Sequence, residues 1–239
     1  MQGVIPYPPE EAAKYKKIHV WRDITVGEAQ DFLAKVYPDR EAIVDERTRL
    51  TYAELSSLST RFALGLIELG LRPGDRVVIQ LPNMVEFGVV YLAMQKIGVV
   101  PVLCIPRQAH KEVEYFCNLS EASAWIGPSH YLKTDYLQMI KEIKPGLPSL
   151  KHVIIIDKDG AEETGTISYS KLMAYADKSH PEELDPFKPS PDEVCHFVPT
   201  AGTTGLPKLV PRTHNSFLAQ GYFSGTLFYT GNKDVYLIV

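Results

Sequence analysis

The feature that most constrains the fold is a repeated alternation of short apolar segments with amphipathic ones. Residues 76–81 (RVVIQL) and 99–105 (VVPVLCI) are typical of buried strands, and the stretch between them predicts a helix over about 84–97, capped by Asn83. Further helices are predicted near 110–120, 134–143 and 168–177, and further strands at 123–127 and 152–156. This alternation predicts an α/β fold, with a mostly parallel sheet flanked by helices.

An amphipathic helix precedes this alternation and carries a signal at each end. Thr51 and Glu54 have the spacing of a capping box, and Gly70 follows the last apolar position. Between them, apolar residues recur at intervals of three and four, namely Leu55, Leu58, Phe62, Leu66 and Leu69. The sequence therefore predicts a helix that begins after Thr51 and ends at Gly70.

The overall charge and the cysteines exclude several classes of function. The chain has 25 basic and 29 acidic residues and a net charge of −4, so no positive field would attract nucleic acid or an anionic membrane. No signal peptide or membrane span is evident, and we expect a cytoplasmic location. The three cysteines, Cys104, Cys117 and Cys195, are far apart, so we expect neither disulfides nor a zinc site.

Composition suggests a division of the chain into four segments. Residues 179–193 hold four prolines and six charged residues with little apolar periodicity, which predicts a linker. The segments on either side are a first helix and strand segment (1–70), an α/β subdomain (71–178) and a loop-bearing segment (194–239). Within the last of these, we expect residues 222–229 to form part of a core helix and residues 234–239 to form a buried strand.

The loop-bearing segment contains an unusual run of small residues. Residues 194–198 and 208–212 are predicted to be extended, 199–207 a loop, and Thr213 the cap of a following helix. Gly202 and Gly205 allow backbone N–H groups to turn towards one point, and hydroxyls come from Thr200, Thr203 and Thr204. With Lys208 they suit phosphate oxygens, although a simple Gly-Thr turn between two strands has the same composition.

The pattern differs from that of the nucleoside triphosphatase P-loop. There, Gly and Lys are adjacent and a Ser or Thr follows, whereas Leu206 and Pro207 separate Gly205 from Lys208 here. That interpretation is therefore excluded.

The segment 200–208 (TAGTTGLPK) resembles the phosphate-binding motif of the adenylate-forming superfamily, which comprises acyl- and aryl-CoA synthetases, luciferases and adenylation domains. Ala201 stands where that motif usually has Ser. Residues 209–215 (LVPRTHN) are similar to the branch that activates 2,3-dihydroxybenzoate and related aryl acids for siderophores. Residues 50–66 and 70–106 are similar to two further conserved blocks, in the family's order, so the resemblance covers about 25–239.

The resemblance implies a chemistry and a set of roles. A carboxylic acid reacts with Mg²⁺ and ATP to give an acyl-adenylate, whose acyl group passes to a thiol of CoA or of a carrier-protein pantetheine. Thr200, Gly202, Thr203, Thr204 and Gly205 would then cradle the β- and γ-phosphates. Lys208 would either supply charge there or hold the loop in place. No protein ligand to the metal is identified.

The resemblance also implies that this chain is the front part of the family's large N-terminal domain, ending before the acid-binding segment. We therefore expect no turnover from the 239-residue chain alone, and we expect its apolar segment 234–239 to pair with a second copy. Two alternatives stay open beside the aryl-acid ligase: an acyl- or aryl-CoA synthetase, and a non-catalytic nucleotide-binding or interaction module.

Two residues after the loop have less specific signals. His214 is close to the loop in sequence, where it would either reach a phosphate or serve as a cap or packing residue. Arg212 is expected to pair with an acidic neighbour. The other histidines show no metal-ligand spacing.

Overall fold

The computed structural model describes residues 4–156, 164–175, 181–200, 206–231 and 233–238. The helices are α1 (Pro9–Lys17), α2 (Val26–Val36), α3 (Tyr52–Glu68), α4 (Val85–Lys96), α5 (His110–Ser120), α6 (Tyr136–Ile143), α7 (Tyr169–Ala174) and α8 (His214–Leu227). The strands are β1 (Glu41–Val44), β2 (Arg49–Thr51), β3 (Arg76–Ile79), β4 (Val100–Leu103), β5 (Ala124–Gly127), β6 (His130–Tyr131), β7 (Thr134–Asp135), β8 (His152–Ile155), β9 (Ile167–Ser168), β10 (Val194–Pro199) and β11 (Leu209–Thr213). Short 3-10 helices cover Lys144–Gly146 and Pro181–Phe187.

Seven strands form the central sheet, in the order β11-β10-β4-β3-β5-β8-β9. Every neighbouring pair is parallel except β10 and β11, which form an antiparallel hairpin at one edge. Two small antiparallel pairs, β1 with β2 and β6 with β7, lie outside this sheet. The predicted α/β fold with a mostly parallel sheet is therefore confirmed.

Both faces of the sheet are buried, which explains why its strands are continuously apolar. Along β3, Val77 and Ile79 pack with α3 and α4 on one face. Val78 points to the other face, into the core formed by α5 and α6. Helices thus cover the sheet on both sides, and its carboxyl edge is the exposed rim where loops meet.

Two helices show how far local signals determine a helix start. The predicted capping box of α3 is present, because the Thr51 side chain accepts from the Glu54 N–H and the Glu54 carboxylate accepts from the Thr51 N–H. The predicted Asn83 cap of α4 is wrong, since the N-cap position is Met84. The Asp45 carboxylate, which comes from the β1–β2 turn, accepts from the Val85 N–H at 3.0 Å instead.

The carboxyl-terminal part differs from its prediction. Residues 234–238 form no strand, and Val235 and Leu237 are 93% and 87% exposed. The aromatic residues expected in a core helix are also exposed, with Phe223 at 50% and Phe228 at 72%. Both predictions are wrong because burial requires a covering layer, which the described residues do not supply here.

The predicted linker contains ordered structure in its described part. Leu184, within the 3-10 helix Pro181–Phe187, is 4% exposed and joins the core beneath α3. The division of the chain at 70, 178 and 193 stays a prediction. Across the described ranges, no helix combines the length and apolarity needed to cross a membrane.

Candidate functional site

The loop predicted to bind phosphate joins the two strands of the edge hairpin. Pro199 in β10 pairs with Leu209 in β11, and Thr200 and Lys208 then close the loop with two hydrogen bonds. The Thr200 N–H donates to the Lys208 carbonyl at 2.9 Å, and the Lys208 N–H donates to Thr200 Oγ1 at 3.0 Å. We call β10, residues 200–208 and β11 together the loop hairpin.

The topology places this loop at the carboxyl edge of the parallel sheet. β10 runs parallel to β4, with Phe197 opposite Val102, so the loop leaves β10 at the edge where β4 also ends. Ligands of α/β sheets bind at this edge, where loops and helix N-termini meet. The position of the loop therefore suits a binding site.

Of the predicted phosphate ligands, the structure describes Thr200 and Lys208; Gly202, Thr203, Thr204 and Gly205 lie outside the described residues, as does Ala201. The Thr200 oxygen accepts a hydrogen bond, so its own proton stays available for a ligand. The Lys208 side chain is exposed, and its ammonium has no ion-pair partner within the described part of the chain. This donor and this cation fit an anion.

His214 does not lie at the loop. Six residue steps separate it from Lys208, and five of them cross the extended strand β11. At ~3.3 Å per residue, the two Cα atoms are about 20 Å apart. His214 is 1% exposed, and its Nδ1 accepts from the Val26 N–H at 3.1 Å. The structure therefore favours the packing role over contact with phosphate.

His196 lies in the same buried region, one strand further in. It is 2% exposed, its Nδ1 lies 3.0 Å from the Tyr91 hydroxyl, and its ring packs edge-on against Phe217. Burial and then the charge of Arg212 lower the pKa of His196 to about 4. Burial and then His196 lower the pKa of His214 to about 4. Both imidazoles are therefore neutral at pH 7.

Among the residues that the structure describes, Arg212 pairs with no acidic side chain, contrary to our expectation. Its guanidinium donates to Gln220 Oε1 and, at 3.4 Å, to the Ser216 carbonyl. Its Nε atom is buried with no partner among the described residues. Arg212 therefore links β11 to α8.

Asn215 belongs to the segment 209–215, but its contacts were not predicted from the sequence. It is 2% exposed and bonds to Asp23 and Asp192, which lie in distant parts of the chain. No local sequence pattern predicts these contacts, because the partners are 192 and 23 residues away in the chain. These contacts fix the base of the loop hairpin.

The cysteines and acidic residues offer little further chemistry. Cys104, Cys117 and Cys195 are free and buried, and burial raises the pKa of the Cys117 and Cys195 thiols to about 12. Such thiols are poor nucleophiles. Among the residues that the structure describes, no group of three His, Cys, Asp or Glu side chains is placed to hold a metal ion.

Comparison with known proteins matches residues 31–239 to the model of the AMP-binding enzyme family. The chain is 34% identical over 99% of its length to a salicyl-AMP ligase / salicyl-S-ArCP synthetase of Mycobacterium tuberculosis, covering 41% of that protein. It is 35% identical over 99% of its length to the 2,3-dihydroxybenzoate-AMP ligase of Bacillus subtilis, covering 42%. The chain thus spans about two fifths of the length of these relatives.

A solved structure agrees with the sequence matches. The apo structure of MbtA from Mycobacterium smegmatis superposes with a TM-score of 0.86 at 34% identity, over 98% of this chain and 42% of that one. The fold described above is therefore that of the corresponding part of an adenylate-forming enzyme.

Proposed function

Because the chain belongs to the AMP-binding enzyme family, as its sequence motifs predicted, we propose that it is the nucleotide-binding part of an ATP-dependent aryl-acid ligase. The reaction would convert a carboxylic acid and ATP into an acyl-adenylate, whose acyl group then passes to a thiol. The observation that carries the proposal is the loop hairpin, which presents the Thr200 hydroxyl and the exposed Lys208 ammonium at the carboxyl edge of the sheet.

In this reaction two anions must meet. An oxygen of the carboxylate attacks the α-phosphorus of ATP, a P–O bond to the acid forms, and the P–O bond to pyrophosphate breaks. The protein therefore has to position and neutralise charge more than to react covalently. The Thr200 hydroxyl and the Lys208 ammonium, with the residues between them, would hold the β- and γ-phosphates.

For Lys208 the two roles stay open. Its backbone already closes the loop with Thr200, whereas its side chain extends into solvent. The ammonium is exposed and has no ion-pair partner among the described residues, which favours the electrostatic role. A magnesium ion bound to the nucleotide would supply further neutralisation of the phosphate charge.

The nature of the acid is inferred from the segment after the loop and from the relatives. Residues 209–215 follow the pattern of the aryl-acid branch, and two relatives are described as ligases of salicylate and of 2,3-dihydroxybenzoate. We therefore propose an aryl acid such as 2,3-dihydroxybenzoate as substrate. The acceptor would be a thiol of CoA or of a carrier-protein pantetheine.

The test is acid-dependent exchange of labelled pyrophosphate into ATP, measured on the product of the complete reading frame. We expect exchange with 2,3-dihydroxybenzoate or salicylate, and at least about tenfold less with a medium-chain fatty acid. The 239-residue chain is the control and should show none. Preference for the fatty acid would favour an acyl-CoA synthetase. Nucleotide binding without exchange on any acid would favour the non-catalytic module.

A further inference from the structure

The loop hairpin lies at the edge of the sheet, so its position depends on contacts at its base. β11 is the outermost strand, with β10 as its one strand neighbour in the described sheet. β10 in turn is in register with β4 at Phe197 and Val102. A hairpin held along one side in this way needs a second anchor if its loop is to keep a fixed position.

That anchor is the side-chain amide of Asn215, at the start of α8. Its oxygen accepts from the Asp23 N–H at 3.1 Å. Its nitrogen donates to Asp23 Oδ1 at 3.1 Å and to Asp192 Oδ1 at 2.9 Å. Asn215 is 2% exposed, and these three bonds use both amide hydrogens and one of the two acceptor positions of the oxygen. They join the amino-terminal segment, the approach to β10 and the start of α8.

Lys16 completes this group from α1. Its ammonium lies 2.8 Å from Asp23 Oδ1 and 2.6 Å from Asp192 Oδ2, so one cation offsets two carboxylates. Asp23 has a φ of 54°, a left-handed conformation that is disfavoured for a residue other than glycine. The contacts with Lys16 and Asn215 compensate for that conformation.

A second set of hydrogen bonds, formed by His214 and by the backbone of Asn215, lies beside the group of Lys16, Asp23, Asp192 and Asn215. The Val26 N–H, at the start of α2, donates to Nδ1 of the buried His214. The backbone N–H groups of His214 and Asn215 donate to the carbonyls of Glu193 and Pro191, just before β10. Both ends of the loop hairpin are therefore tied at its base to one another and to the amino-terminal segment.

We propose that Lys16, Asp23, Asp192 and Asn215 form a clasp through which the amino-terminal segment fixes the loop hairpin. Lys16 and Asp23 precede the family match, which begins at residue 31, whereas Asp192 and Asn215 lie within it, so the clasp joins the segment before the match to the matched part. Asn215 is then a positioning residue, which acts on the phosphate loop through β11. The effect of Asn215 on phosphate binding rests on the proposed function, whereas the clasp itself does not.

The first test measures the clasp without nucleotide. In the 239-residue chain, Lys16→Met should speed hydrogen exchange about fivefold at the backbone amides of His214 and Asn215. Lys16→Arg should restore it. Lys188→Met, which breaks a Lys–Asp pair of 2.6 Å with Asp185, is the matched control and should leave these amides unchanged. Unchanged exchange in Lys16→Met would overturn the clasp.

The second test asks whether the clasp positions the loop. In the product of the complete reading frame, Lys16→Met should raise the KM for ATP about fivefold, while kcat and the KM for the acid change less than about twofold. Asn215→Ala should have a larger effect, and Lys16→Met keeps the test usable if that variant does not fold. Faster hydrogen exchange with an unchanged KM for ATP would refute positioning. If no acid supports ATP–pyrophosphate exchange, the proposed function is refuted. The hydrogen-exchange result still decides whether the clasp exists.

Discussion

Two buried histidines should make the stability of this chain fall steeply below pH 6.5. His196 and His214 are 2% and 1% exposed, and burial is the main cause that lowers the pKa of each to about 4. Protonation of either imidazole in the folded chain would place a charge among atoms that cannot solvate it. For His214, Nε2 is already buried with no partner among the described residues.

The sign and size follow from proton linkage. Each pKa is below the ordinary value of 6.5 for His, so between pH 6.5 and pH 4 the unfolded state binds more protons than the folded state. As the pH is lowered through this range, the free energy of unfolding therefore decreases by about 1.4 kcal/mol per pH unit for each histidine. Between pH 7 and pH 5 the loss is about 2 kcal/mol for each, or about 4 kcal/mol together.

Urea unfolding at pH 7 and pH 5, followed by the fluorescence of the buried Trp21 and Trp125, measures this loss. In His214→Asn, Asn Oδ1 takes the place of the accepting Nδ1, so the variant keeps the bond from Val26 without the titration. We expect the free energy of unfolding of the wild type to exceed that of the variant at pH 7, and this difference to be about 2 kcal/mol smaller at pH 5.

His19→Asn is the control, because His19 is exposed and the asparagine tolerates its positive φ of 56°. The difference in unfolding free energy between this variant and the wild type should change by less than about 0.5 kcal/mol between pH 7 and pH 5. A gap for His214→Asn that stays constant between the two pH values would refute the burial argument.

Two further predictions concern packing and the loop. Gly65→Ala should destabilise the chain by about 1–3 kcal/mol, since the new Cβ would lie 2.4 Å from the Leu172 carbonyl oxygen. Gly88→Ala, which meets the flexible end of a side chain at 3.0 Å, should cost at least about 1 kcal/mol less in thermal unfolding. Thr200→Val should raise the KM for ATP in pyrophosphate exchange severalfold, because the Lys208 N–H loses its acceptor, whereas Thr200→Ser should not. Equal effects of the two glycine variants, or of the two Thr200 variants, would contradict these explanations.

Structure that depends on neighbouring residues was predictable from the sequence. The capping box of Thr51 and Glu54 starts α3, and Thr213 caps α8 as predicted. The apolar strands and the helices between them are present close to their predicted bounds, because buried parallel strands need continuous apolar residues. The two extended segments that flank residues 200–208 were also predicted, and they are present as β10 and β11. The roles of Gly202, Thr203, Thr204 and Gly205 stay predictions.

Structure that depends on distant residues was not predictable. Asp45 caps α4 from the β1–β2 turn, 40 residues away, and displaced the predicted cap at Asn83. The contacts of Lys16 with Asp192 span 176 residues. Apolar residues near 222–238 gave a further false signal, because apolarity shows that a segment favours burial and does not show what would cover it.

The central claim is that the loop hairpin binds the phosphates of ATP for activation of an aryl acid. The most direct measurement is 2,3-dihydroxybenzoate-dependent ATP–pyrophosphate exchange by the product of the complete reading frame, with and without Lys208→Ala. We predict exchange in the wild type and at least about a tenfold loss in the variant, because an exposed cation is removed from the phosphates. Exchange that is unchanged in Lys208→Ala would contradict the claim.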